Sequence, residues 1–172
     1  MMWTKRPGRL DDVEFLIPAR DFSQAFDMGF AALEMVRSQW SPAARNNRLD
    51  EDSLDSLVES LGALRAEGKR KAGQLAGALV AIAKNLARCV ETDSTPEGNA
   101  ALFAVDACIH FGKALLPRES MRERITSTVT CACQSHAAAL GWRPESDPED
   151  AVGAAIEAEF LAAWWRQVMA GS

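Results

Sequence analysis

Residues 105–110, VDACIH, place a carboxylate, a thiol and an imidazole inside an otherwise apolar run, AALFAVDACIHFGKALL. Asp106 and His110 are four apart, so on a helix they share a face, and Lys113 stands one turn further on. That spacing suits general-base chemistry, in which the carboxylate orients an imidazole that titrates near neutrality. The plainer reading is a solvent-facing edge with an i,i+4 pair worth ~0.2–0.5 kcal/mol. The plainer reading is preferred, because no phosphate-cradling glycine loop and no G-x-S-x-G elbow accompanies the pair.

A metal centre is the second chemistry to weigh. The segments CIH and CACQSH bring Cys108, His110, Cys131, Cys133 and His136 onto neighbouring helices. Residues two apart on a helix diverge by about 160°, so Cys108 and His110 cannot share a ligand, nor can Cys131 and Cys133. There is no C-x-x-C pair and no H-E-x-x-H. His136 falls at the centre of the stripe Met121, Ile125, Val129, Ala132 and Leu140, and reads as a core histidine bonded to a backbone carbonyl. Neither a metal nor a cofactor is expected, and the four cysteines are read as reduced thiols.

The third constellation is acidic. Asp50, Glu51, Asp52 and Asp55 gather where a helix begins, and a helix dipole favours negative charge there by ~0.3–1 kcal/mol each. They exceed what capping requires, and so form a candidate binding surface for a basic protein.

The elements that must position these residues follow from apolar spacing. Asp21 with Gln24 resembles a capping box, and Phe22, Phe26, Phe30, Leu33, Val36 and Trp40 then form a stripe, predicting a helix over 22–40. Leu54, Leu57, Val58, Leu61 and Leu64 predict a second, stopped at Gly68. A third covers 69–91, with Leu75, Leu79, Ile82, Leu86 and Cys89 on its large-residue face. Its small face, with Gly73 and Gly77, points to close helix–helix approach. Thr95 and Pro96 open a fourth, which Pro117 ends; Ser120 and Glu123 open a fifth over 121–140. Asp147, Pro148 and Glu149 start a sixth, with the stripe Val152, Ile156, Phe160, Trp164 and Val168. Trp164 and Trp165 cannot share a face, so one is read as core and the other as boundary or interface. The segment LDDVEFLI gives at most one short helix within a weakly patterned N-terminal stretch, residues 1–20.

No alternating strand pattern is present, so the fold expected is all-α: a single-domain bundle of five or six helices over residues 1–172. The hydrophobic fraction of 48% and charged fraction of 25% suit a soluble globular chain. A net charge of −5 argues against nucleic acid as a partner. The opening MMWTKRPGRLDDVEF has no apolar h-region, and LAGALVAIA is too short to span a bilayer, so a cytoplasmic protein away from membranes is expected.

Three stretches, FAVDACIHFGKALL, SMRERITSTVT and DPEDAVGAAIEAEFLAAWW, resemble a bacterial family of helical proteins known as domain of unknown function 416. The resemblance covers roughly residues 72–169. It implies an all-helical, cytosolic protein and brings no activity. Asp106 and Cys108 match the family's pattern, whereas His110 departs from it, where the family has a small apolar residue. The function expected is therefore a non-enzymatic protein-binding domain, of which a toxin-neutralising immunity protein is one concrete version. The alternatives are a small helical enzyme or ligand-binding domain using the Asp106, His110 and Lys113 seam, and a structural homo-oligomer formed through the last helix.

Overall fold

Side-chain oxygens set where three of the helices begin. The Asp21 carboxylate accepts from the Gln24 amide at 3.1 Å and starts α2 (Phe22–Val36). The Thr95 hydroxyl accepts from the Gly98 amide at 3.0 Å and starts α5 (Pro96–Ala114). Ser120 does the same for the Glu123 amide at 3.4 Å and starts α6 (Met121–Ala139). Each bond satisfies one of the amides that a helix N-terminus leaves orphaned.

The computed structural model describes residues 6–40, 48–89, 95–142 and 151–171. The remaining helices are α1 (Val13–Leu16), α3 (Arg48–Leu64), α4 (Lys69–Cys89) and α7 (Ala151–Ala170). Seven α-helices are present among the described residues, where the sequence predicts five or six. The addition is α1: LDDVEFLI folds as a 3-10 turn over Leu10–Asp12 followed by four α-helical residues. Val13 and Ile17 from this segment are fully buried, so tertiary packing holds a helix too short to persist alone. No strand occurs among the described residues.

Close approach sets the register of the bundle. Gly29 of α2 faces Phe111 of α5 and Ile125 of α6, and a Cβ there would lie 2.6 Å from Ile125 Cδ1 and 2.8 Å from Phe111 Cδ2. Around this crossing the Phe26 ring meets Phe30 at 5.6 Å and Phe111 at 5.2 Å. Such ring pairs contribute about 0.5–1.5 kcal/mol beyond their burial. α3 runs antiparallel to α2, since Phe30 packs on Gly62 while Arg37 bonds Asp55. α4 lies against α5 through Gly112, which faces Val80, and through Gly73, whose Cβ would meet the Leu115 carbonyl at 2.9 Å. Gly77 has nothing within 4 Å, so only one of the two glycines predicted for close approach makes it.

α5 and α6 form a hairpin across residues 115–120. Within it the buried Ser135 hydroxyl donates to the Ala100 carbonyl at 2.6 Å. α7 covers the seam between α2 and α6. Trp164 Nε1 donates to the Met28 carbonyl at 2.9 Å, and Phe160 packs beside His136. Both Trp164 and Trp165 are buried in this chain, because α7 sits in the angle between two helices and covers two adjacent positions. Val152, placed on the same stripe by its spacing, is 62% exposed. None of the described helices is long and apolar enough to cross a membrane.

Candidate functional site

α5 presents Asp106, His110 and Lys113 on one side, and all three are half-buried along the edge where α6 passes. The expected pairing within this seam is not what forms. Among the described residues no hydrogen bond joins Asp106 to His110. Instead Arg124, from the first turns of α6, donates to His110 Nδ1 at 3.1 Å and to Glu119 Oε2 at 2.9 Å. A guanidinium can only donate, so Nδ1 is the acceptor and the imidazole proton lies on Nε2. Burial lowers the His110 pKa below its usual value, and the charges of Arg124 and Lys113 lower it further, against Glu119. Asp106 is pushed the other way, above the usual carboxylate range, by desolvation. Both groups are thus biased toward their neutral forms.

Arg124 and Glu119 are neighbours of the seam that the reading of α5 alone misses. Their signal lies in the hairpin: a connection as short as residues 115–120 returns the first turns of α6 beside the last turns of α5.

The thiols of Cys108, Cys131 and Cys133 are insulated, and the Cys89 side chain falls outside the described residues. Cys108 is wholly buried, which raises its pKa strongly. Burial pushes Cys131 and Cys133 up to about 12, assisted by Asp106 and Glu157 respectively. Nucleophilic or ligating thiolates need the opposite environment. Among the described residues no group of three His, Cys, Asp or Glu side chains is placed to hold a metal ion. His136 Nε2 is buried with no hydrogen-bond partner, so the carbonyl bond predicted for it is absent among the described residues.

Of the acidic constellation, Asp55 is committed to Arg37, accepting from its Nε at 3.2 Å. Arg37 also meets Glu34 at 3.3 Å and Glu59 at 2.9 Å, and donates to the Asp55 carbonyl. Burial works against the Arg37 charge, yet the carboxylates of Glu59, Asp55 and Glu34 outweigh it and raise its pKa. Asp50, Glu51 and Asp52 lie in the first turns of α3, and their side chains fall outside the described residues.

Two concave surfaces stand out among the described residues. One, of about 350 Å³, is lined by Asp27, Phe30 and Glu34 of α2, by Arg65, and by Gln167 and Val168 near the end of α7. Arg65 pairs with Asp27 at its edge. The other, of about 540 Å³, lies between the start of α4 and the end of α5. Compared with known proteins, the chain matches no family model, no curated protein and no solved structure.

Proposed function

We propose that this chain is a protein-binding domain that receives a basic segment of another protein along the α2–α3 edge and the groove beside it. The observation that carries this reading is the double placement of Glu34, which lines the groove and also joins the ion cluster around Arg37. That cluster holds Glu34, Asp55 and Glu59 against one guanidinium, leaving two negative charges in excess. Glu59 is 70% exposed and open to a second cation. Phe30 and Val168 give the groove an apolar floor, and the last carbonyls of α7 add the negative end of a helix dipole. An apolar floor with a charged rim is the usual anatomy of a protein interface. The acids Asp50, Glu51 and Asp52 lie further back along the same helix, α3.

An immunity protein that neutralises a basic toxin is one form of this function, since such partners associate by electrostatic steering. The test is retention of host proteins by the wild-type chain and by a Glu34→Lys/Glu59→Lys variant, followed by association rates for whatever the wild type retains. The variant should associate about tenfold more slowly at low salt, with the difference closing as salt is added. Equal rates for the two chains would remove the α2–α3 edge from the interface.

A further inference from the structure

The larger concavity has the opposite character. Lys69, Arg70 and Gln74 form one wall, Leu115 and Pro117 the other, and the two meet at Gly73. Its volume of about 540 Å³ lies within the ~300–1,000 Å³ range of small-molecule pockets. Most of its surface is apolar, and its cations have no neutralising partner among the described residues. Lys71 is bound to Glu67 at 3.1 Å, whereas Lys69 and Arg70 have no ion-pair partner among the described residues.

Charge in the surrounding chain points the same way. Residues 67–71 carry three cations and one anion, and residues 113–124 carry four cations and two anions, so the two segments together hold +2 and +2. The whole chain is −5, which leaves −9 on everything else. The cleft therefore lies where two basic segments of an acidic protein meet.

We infer that this cleft is a binding site for a small organic anion with an apolar body, such as an aliphatic carboxylate. Its head group is held by the Lys69 ammonium and the Arg70 guanidinium. Its tail lies on Leu115 and Pro117, and the Gln74 amide supplies a neutral hydrogen-bonding group at the rim. Neither wall works alone: the cations without the apolar floor would bind any anion weakly, and the floor without the cations would not select for charge.

Octanoate and inorganic phosphate are the probes, read by calorimetry and by amide chemical-shift mapping on the full chain. Octanoate is expected to bind saturably, with shifts confined to residues 69–74 and 115–117. Phosphate, lacking a tail, should bind about tenfold more weakly. Lys69→Gln/Arg70→Gln should weaken octanoate by about tenfold or more. Gln74→Trp, which keeps both cations but fills the exposed cleft, should weaken it as much. Should the double variant fail to fold, the Gln74 variant decides the matter alone. Octanoate binding that does not saturate, that maps elsewhere, that survives both changes, or that phosphate equals overturns the inference. Wild-type binding to anionic vesicles without saturable octanoate binding overturns it too, in favour of a membrane surface.

Discussion

The crossing of α2 over α5 and α6 decides where Asp27, Phe30 and Glu34 stand, and two glycine substitutions test it. In a helix interior, replacing glycine by alanine stabilises by roughly 0.5–1 kcal/mol through the backbone alone. Gly77 of α4 is exposed with nothing within 4 Å of a Cβ, so Gly77→Ala should show that gain undiminished. Gly29 is in the same kind of helix interior but has no room. Its Cβ would lie 2.6 Å from Ile125 Cδ1 and 2.8 Å from Phe111 Cδ2. Ordinary carbon contacts are ~3.5–4.0 Å, so the overlap is close to an ångström. Ile125 Cδ1 is the end of a flexible side chain and can turn away. The Phe111 ring is buried among Phe26 and Phe30 and cannot. Overpacking of this kind costs about 1–3 kcal/mol. Because the backbone gain is common to both variants, the difference between them isolates the packing cost. Urea unfolding should therefore place Gly29→Ala about 1–3 kcal/mol below Gly77→Ala. If the two variants are equally stable, α2 does not cross at Gly29 and the groove built on Asp27, Phe30 and Glu34 is misplaced.

Two further expectations concern the α5 seam. In a proton NMR titration His110 should titrate below 6.5; Arg124→Gln should raise that value, while Asp106→Asn leaves it unmoved. A fall on changing Asp106 would instead reveal the acid–imidazole pair. Asp106 binds its proton more tightly in the folded chain than the 3.8 of the unfolded one, so stability falls as pH rises from 3.8 through the higher folded value. Asp106→Asn should accordingly be more stable than wild type at neutral pH and lose that advantage near about pH 3, as followed by denaturant midpoints. A variant less stable than wild type at neutral pH would show that the carboxylate has a partner.

Local signals carried most of the fold. The oxygens of Asp21, Thr95 and Ser120 act on amides three residues away, and all three starts are where the sequence places them. Stripe residues facing one neighbour also read correctly: Phe26, Leu33, Val36, Leu79, Leu86, Ile125 and Val129 are buried. What failed depends on which helix lies opposite. Gly73 and Gly77 are equivalent in sequence, and only the end of α5 distinguishes them. The spacing puts only one of Trp164 and Trp165 in the core because a helical wheel assumes a single buried face, whereas α7 buries both. The partner of His110 was illegible because i,i+4 geometry permits a contact with Asp106 without requiring it, and a guanidinium from the next helix competes for the same nitrogen.

That competition bears on what the seam is for. An acid–imidazole pair works as a base when the carboxylate stays ionised, holds the Nδ1 proton and stabilises the imidazolium that forms. Here each requirement is inverted. Nδ1 bears no proton, because it accepts from Arg124. Desolvation opposes the charge on Asp106, and the cations beside His110 oppose imidazolium. The arrangement instead ties the end of α5 to the start of α6 through one arginine that bridges His110 and Glu119. Loss of His110 from such a bridge is expected to cost local order in the hairpin. The same hairpin carries Leu115 and Pro117, which line the cleft beside Lys69 and Arg70, so the bridge and one wall of that cleft belong to one local unit.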